Sequence, residues 1–295
     1  MGVIETIKET LVSGDPLVRT WFMVESNYMP FVCSFLYVLF VKRIGPSIMK
    51  NRKPFDLRRL MIVYNFAIVF TYTISMILAA SAAWVLYVVK YVEFIDTIFF
   101  VLRKKFHLIT NLHVIHHAAL PVIAWVFIRT ETSGFQFFPA GLNSVIHIIM
   151  YTYYGLAAMG PEMQKYLWWK EHLTKIQMWQ FVIIIVFVIV IIPLSGCQTT
   201  QHGIYIEIFF AFVFLSLFYN FYVKTYKKKQ PLKMKNEVQS KKTIVSNGKS
   251  KSLNDDCYHN EEELKGKSNT LNDDFYLNEE ELIPPYFSFS KVKKR

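Results

Sequence analysis

Cysteine is scarce in this 295-residue sequence, and its three copies form no pair or cluster. Cys33, Cys197 and Cys257 show no CxxC spacing, which excludes a disulfide framework and a thiolate metal site. No dinucleotide-binding glycine pattern is present, so the chain is not expected to carry out a nicotinamide-dependent reduction. The first 26 residues mix charged and apolar letters, and a cleaved signal peptide is therefore not predicted.

Charge is concentrated at the carboxyl end of the chain. Residues 224–295 hold 16 of the 33 Lys and Arg and 11 of the 22 Asp and Glu. The first 223 residues are consequently more apolar than the overall value of 53% hydrophobic residues suggests. A membrane span needs about 20 mostly apolar residues, and this part has room for several. The composition excludes an ordinary soluble domain and predicts an all-α polytopic membrane protein.

Seven apolar stretches predict a bundle of seven transmembrane helices. They lie at 29–45, 61–83, 84–102, 112–128, 138–158, 176–194 and 203–223. Lys and Arg collect in cytoplasmic loops, and here basic residues follow the first, third, fifth and seventh stretches while the alternate loops are nearly bare. This alternation predicts an amino terminus outside the cytosol and a cytosolic carboxyl tail.

The tail contains an acidic duplication. LNDDCYHNEEEL at 253–264 is followed by LNDDFYLNEEEL at 271–282, and two copies are too few for a stacked repeat fold. Its composition predicts a largely disordered segment. The final KVKKR resembles the di-lysine address that returns membrane proteins to the endoplasmic reticulum. The predicted organisation is a lumenal segment at 1–28, a membrane domain at 29–223 and a cytosolic tail at 224–295.

Polar residues occur inside the predicted spans, where an ionisable side chain is costly and usually faces a functional cavity. Lys90, Glu93, Asp96 and Thr97 fall on one face of the third helix. Lys90 and Glu93 could simply neutralise each other across one turn. Asp96 would still need a partner, so this face is a candidate site.

Imidazoles are clustered in the next two spans. His113, His116 and His117 share one face of the fourth helix, because their offsets are three and four residues. A stripe in the fifth helix consists of Asn143, His147, Met150, Tyr151 and Tyr154. Tyrosines alone would suit an interfacial aromatic belt. Gln177 and Gln180 in the sixth helix fit substrate contact or helix–helix hydrogen bonding equally well.

The motifs KYVEFIDT, HVIHH, HIIMYTYY and TKIQMWQ, in this order and spacing, resemble the four signature motifs of the very-long-chain fatty acid elongases. This family, the ELO family, comprises membrane condensing enzymes of the endoplasmic reticulum. The similarity runs from about residue 25 to 230 and identifies 29–223 as the catalytic domain. One departure is visible, since the stretch 132–142 is several residues shorter than the usual glycine-rich loop.

The resemblance implies condensation of a long-chain acyl-CoA with malonyl-CoA, which releases CO₂ and CoA and leaves a 3-ketoacyl-CoA. No cofactor and no metal are expected. The implied partners are the lipid bilayer and the ketoreductase, dehydratase and enoyl reductase of the elongation cycle, with a homodimer left open and no nucleic acid. An apolar acyl channel between the spans, with a polar mouth at the cytosol, should follow.

The resemblance also implies roles for individual residues. His116 would be the nucleophile that forms an acyl-imidazole, with His147 as its facing partner and His113 and His117 orienting or moving protons; which imidazole attacks stays open. Lys90, Glu93 and Asp96 would set the electrostatics of the site. Contacts to the carbonyl or malonyl group would come from Asn143, Tyr151, Tyr154, Gln177 and Gln180. Contacts to CoA phosphates would come from Arg103, Lys104, Lys105, Lys170 and Lys175, which could equally be topology signals.

Two other classes of protein share part of this pattern. Membrane desaturases and hydroxylases also carry HxxHH, but their two iron atoms need about eight histidines in three clusters. This chain has 8 histidines in total, and His107, His172, His202 and His259 are isolated. A seven-span transporter or receptor would account for the helix count but not for the clustered imidazoles.

Overall fold

A computed structural model describes residues 18, 20–77, 82–130, 134–196 and 201–227. These residues form helices and connecting turns, and no strand occurs among them. The α-helices are α1 Met29–Leu39, α2 Gly45–Met49, α3 Arg58–Ile77, α4 Ala82–Val92, α5 Phe94–Leu102, α6 Asn111–Thr130, α7 Phe137–Ala158, α8 Lys170–Val186, α9 Ile192–Ser195 and α10 Gln201–Tyr222. The prediction of an all-helical fold is confirmed.

Two π-helices extend neighbouring α-helices, each just ahead of a proline. Phe40–Ile44 joins α1 to α2, and Phe187–Ile191 joins α8 to α9. Pro46 and Pro193 have no N–H for the carbonyl four residues earlier, and that carbonyl lies inside the π-helix in both cases. A local widening of the helix therefore coincides with the missing bond. Two 3₁₀ helices, Phe106–Leu108 and Pro161–Tyr166, lie in connections between α-helices.

Five helical segments are long and apolar enough to cross a membrane. They are Met29–Met49, Arg58–Ile77, Asn111–Thr130, Lys170–Ser195 and Gly203–Lys227. The predicted spans at 84–102 and 138–158 fall on the helical segments that carry Lys90 and His147, and neither is among the five. The count of seven spans therefore stays a prediction. Large apolar side chains such as Phe35, Phe70 and Leu194 point outward and are mostly exposed.

Several predictions concern residues outside the described ranges. The acidic duplication and the final KVKKR lie beyond residue 227, and so does nearly all of the predicted tail. The shortened loop at 132–142 is described from Gly134 on, and α7 begins at Phe137. From Phe221 on, the end of α10 and the π-helix Val223–Lys227 belong to a separate unit of the chain.

The predicted third span is interrupted at its most polar point. α4 ends at Val92 and α5 begins at Phe94, with Glu93 between them at φ −62° and ψ −15°. The Glu93 amide still donates to the Val89 carbonyl, and the Asp96 amide donates to the Glu93 carbonyl. The polar residues Lys90, Glu93, Asp96 and Thr97 of this segment are all buried despite the break.

Helix packing brings the polar residues of different helices together. α3 and α7 make the most extensive helix–helix contact, and α6 packs against α1 and α4. A Cβ at Gly155 would lie 3.1 Å from the ring of Phe66, so α3 and α7 approach closely there because α7 carries no side chain at that position. In α6, Pro121 has no N–H to donate to the His117 carbonyl, yet the helix continues to Thr130.

Candidate functional site

Lys90 is the centre of a buried hydrogen-bond network on α3, α4 and α7. Its Nζ lies 2.7 Å from the Tyr72 hydroxyl, 3.3 Å from Asn143 Oδ1, 3.4 Å from both Glu93 carboxylate oxygens and 3.4 Å from His147 Nε2. The five residues Tyr72, Lys90, Glu93, Asn143 and His147 are called the Lys90 network below. Lys90 is 8% exposed and Glu93 is fully buried, so a charged amine and its counter-charge share one enclosed site.

Tyr72 bridges Lys90 and Glu93 through its hydroxyl group. Its hydroxyl donates to Glu93 Oε1 at 2.5 Å while it accepts from Lys90. Because a buried ion pair is stable only when its remaining donors and acceptors are satisfied, this phenol completes the pair. Sequence reasoning missed Tyr72. The signal was present, since Asn65, Tyr72 and Ser75 form a polar stripe on α3 and all three are buried.

The hydrogen bonds of His147 determine its tautomer. Its Nδ1 lies 2.9 Å from the Asn143 carbonyl oxygen. A carbonyl only accepts, so Nδ1 carries the proton and the Nε2 of a neutral ring presents a lone pair. That nitrogen lies 3.6 Å from Glu93 Oε1 as well as near Lys90.

Asp96 and Thr97 contact other helices. Tyr151 donates to Asp96 Oδ2 at 2.6 Å, and the Tyr154 ring packs edge-on against Tyr151. Thr97 Oγ1 lies 2.7 Å from His113 Nε2 and 2.8 Å from the Tyr37 hydroxyl. Thr97 thus links α1 to the histidines of α6 and orients His113.

The three imidazoles of α6, called the histidine cluster below, have fewer hydrogen-bond partners. The His113 and His117 rings are 4.3 Å apart, and those of His116 and His117 are 5.5 Å apart. Nδ1 of His116 and Nδ1 of His117 are buried and accept or donate no hydrogen bond within the described part of the chain. The His116 ring rests against Phe214 of α10, with centroids 5.0 Å apart.

A cavity of about 670 Å³ opens beside both groups of residues. His116, Lys90, Asn143 and Gln180 line one part of it, and the walls are mostly apolar side chains such as Phe127. A mostly apolar cavity with a few convergent polar groups is the usual form of a small-molecule site. It suits a molecule with a reactive polar end and a hydrocarbon portion.

Other predicted site residues lie away from this cavity lining. Gln177 donates to Met150 Sδ at 3.3 Å, and Lys175 forms an ion pair of 2.8 Å with Glu171. Arg103 contacts Met61 Sδ, and Lys104 donates to the Lys50 carbonyl. Lys105 and Lys170 are half-buried near helix ends. The cavity therefore brings Lys90, His116, Asn143 and Gln180 together, while His113, His117 and His147 lie outside its lining. The role of the basic residues named above in CoA binding stays a prediction.

The histidine cluster is the part of the site that most resembles a metal centre in composition. Among residues that the structure describes, no group of three or more His, Cys, Asp or Glu side chains could hold a metal ion.

The sequence is similar to known proteins over most of its length. The profile described as "ELO: GNS1/SUR4 family" matches residues 22–82 and 71–234. Very long chain fatty acid elongase 7 of Rattus norvegicus is 37% identical over 248 residues, covering 74% of this chain and 88% of that protein. Very long chain fatty acid elongase 4 of Homo sapiens is 36% identical over 276 residues, covering 84% and 87%. Elongase 7 of Drosophila melanogaster is 36% identical over 269 residues, covering 82% and 81%.

Proposed function

The chain belongs to the ELO: GNS1/SUR4 family and is an enzyme of fatty acid elongation, and we propose that it catalyses the condensation step. In this step a long-chain acyl-CoA and malonyl-CoA give a 3-ketoacyl-CoA two carbons longer, CO₂ and CoA. The observation that carries the proposal is a single cavity lined by His116, Lys90 and Asn143 and otherwise mostly apolar. A thioester can meet the polar residues there while its hydrocarbon chain stays out of water.

His116 is the proposed nucleophile. It is the member of the histidine cluster that lines the cavity, and its ring is held between His117 and Phe214. A nitrogen lone pair attacks the thioester carbon, the C–N bond forms, the C–S bond breaks, and the imidazole proton leaves with the CoA thiolate as the thiol. The acyl-imidazole remains reactive enough to pass the acyl group on.

Malonyl-CoA is the second reactant and provides the carbon nucleophile of the second step. Its carboxylate leaves as CO₂, and the electron pair of the broken C–C bond forms an enolate. The enolate carbon attacks the acyl carbon, a new C–C bond forms and the C–N bond breaks. The released imidazole nitrogen takes up one proton from water, which regenerates neutral His116. Lys90 Nζ, which lies beside Asn143 and His147 at the cavity wall, is suited to stabilise the negative charge that develops on oxygen in both steps.

The Lys90 network supports this role because its charges are held in fixed positions. Fixed donors in a site of low polarity stabilise developing charge without rearranging. Glu93 and Tyr72 keep Lys90 in place, and Asn143 holds the His147 ring in one tautomer. His147 is proposed to hold or transfer a proton near the reacting carbonyl.

The proposal includes the cellular setting. The protein spans the membrane of the endoplasmic reticulum seven times, with the amino terminus in the lumen and the tail in the cytosol, as the distribution of basic residues indicates. The keto product then passes to a ketoreductase, a dehydratase and an enoyl reductase. Glycosylation acceptor sites inserted at each end test the orientation, since only lumenal sites become modified.

Purified protein supplied with acyl-CoA and carbon-labelled malonyl-CoA tests the function directly. Mass spectrometry should detect a 3-ketoacyl-CoA that carries two labelled carbons, and release of CO₂ should match it in amount. With acyl-CoA alone, a peptide containing His116 should gain the mass of the acyl group. Absence of the keto product would contradict the function, whereas an adduct on another residue would contradict only the nucleophile.

A further inference from the structure

The cavity is lined by a second polar pair of residues besides Lys90, His116 and Asn143. Gln136 Nε2 donates to Glu207 Oε2 at 3.2 Å, and both residues line the cavity. Glu207 belongs to α10, within a segment apolar enough to span a membrane. Neighbouring side chains of this region, including Phe127, Ile184 and Ala211, form an apolar cluster. An ionisable group in such surroundings is costly and points to a function.

The positions of Gln136 and Glu207 relative to α7 and α10 indicate how far this pair lies from the reacting groups. On α10, Glu207 lies two turns before Phe214, whose ring contacts His116. Before α7, Gln136 lies two turns ahead of Asn143, which contacts Lys90. Seven residues correspond to about 10 Å along a helix axis, and we infer a separation of this order between the pair and the reacting groups.

The pair has hydrogen-bonding capacity left for a ligand. A carboxylate offers about four acceptor positions and an amide has two N–H donors, and the contact between Gln136 and Glu207 uses one of each. A hydroxyl group can donate to such a carboxylate and accept from such an amide at the same time. A saturated hydrocarbon chain can do neither.

We propose that Gln136 and Glu207 form a subsite for a hydroxyl group on the acyl chain, about 10 Å from the reacting carbonyl, so that hydroxyacyl-CoA thioesters are a preferred substrate class. This inference rests on the proposed condensation activity. The Glu207 carboxylate accepts a hydrogen bond from the hydroxyl group, and Gln136 donates one to its oxygen. The position of the hydroxyl along the chain then decides whether a substrate fits.

Positional isomers of one hydroxyacyl-CoA test the proposal. The purified full-length protein is given malonyl-CoA and either a saturated acyl-CoA or its monohydroxy isomers, and kcat/KM is measured for each. One position, or two adjacent ones, should exceed the other isomers about three- to tenfold, as expected for the net contribution of a hydrogen bond. A flat profile across the isomers, with the saturated chain elongated normally, overturns the subsite alone. Failure to elongate any acyl-CoA overturns the condensation activity as well.

Variants of Gln136 and Glu207 test whether these two residues cause the preference for one isomer. Glu207→Leu and Gln136→Leu should remove the maximum from the isomer profile, and Glu207→Gln, which keeps an acceptor but not the charge, should lower it partially. Phe210→Leu changes the same cavity wall without changing its polarity, and the maximum should persist. A maximum that survives Glu207→Leu overturns the assignment. The wild-type profile decides the question even if a variant fails to fold.

Discussion

The Lys90 network and the histidine cluster are both buried among helices, but they differ in how fully their polar atoms are paired. Every member of the network contacts another member, and Lys90 alone contacts the other four. In the cluster, the Nδ1 atoms of His116 and His117 are buried without a hydrogen bond among the described residues. A paired network stabilises a fold, whereas an unpaired buried group destabilises it. This difference agrees with the proposal that the network positions the site and that the cluster carries out the chemistry.

Replacing His116 should give the largest effect on activity and little effect on stability. His116→Ala removes the proposed nucleophile, and formation of the keto product should fall about a thousandfold or more. Thermal unfolding should occur at the wild-type temperature or slightly above it, because an unsatisfied buried nitrogen is removed. Product formation and thermal unfolding in detergent measure the two effects.

His172→Ala is the matched control for that variant, since His172 is exposed and is proposed to have no role in the reaction. It should retain both activity and stability. Near-normal elongation by His116→Ala would contradict the proposed nucleophile, and a large loss of stability would contradict the contrast between the two regions.

Replacing Glu93 should destabilise the fold strongly. Glu93→Ala leaves Lys90 buried without its counter-charge, and breaking a buried pair in this way typically costs about 3–5 kcal/mol. The free energy of unfolding in detergent measures the loss. Glu171→Ala breaks the ion pair with Lys175, whose side chain is 42% exposed, and should cost less than about 1 kcal/mol. Equal losses for the two variants would show that burial does not distinguish these pairs.

Tyr72→Phe should give a smaller effect on the same network. The variant keeps the ring but loses the hydroxyl that bridges Lys90 and Glu93, and the protein should become less stable by about 2 kcal/mol. The free energy of unfolding is measured for Tyr72→Phe and for Tyr219→Phe, a control variant at an exposed tyrosine. The difference between them reports the contribution of the buried hydroxyl. If both variants unfold like the wild type, Tyr72 does not tie the ion pair together.

The sequence predicted the helices well because long apolar runs are enough to define them. The predicted stretch 112–128 lies within α6, and 138–158 differs from α7 by one residue at its start. The break at Glu93 was not predicted, because helical periodicity assumes an uninterrupted helix. The four residues that this assumption grouped, Lys90, Glu93, Asp96 and Thr97, are all buried. They contact different partners, since Lys90 contacts Tyr72, Asp96 contacts Tyr151 and Thr97 contacts His113.

The site was only partly predictable because its partners come from different helices. Spacing along one helix indicated the histidine cluster, but it could not reveal that Tyr72 of α3 joins Lys90 to Glu93. It also could not separate Gln177 from Gln180, which are less than one turn apart. Gln180 lines the cavity, whereas Gln177 contacts Met150. Such distinctions depend on how helices pack against one another.

Pro121 has a consequence for the histidine cluster that no side-chain substitution elsewhere would remove. The His117 carbonyl one turn before it cannot accept the usual bond from residue 121, so the turn of α6 that follows the histidine cluster has one main-chain hydrogen bond fewer. In water this would matter little. Within a bilayer, where water cannot replace the missing donor, this turn of α6 can bend more readily than a turn with all of its hydrogen bonds.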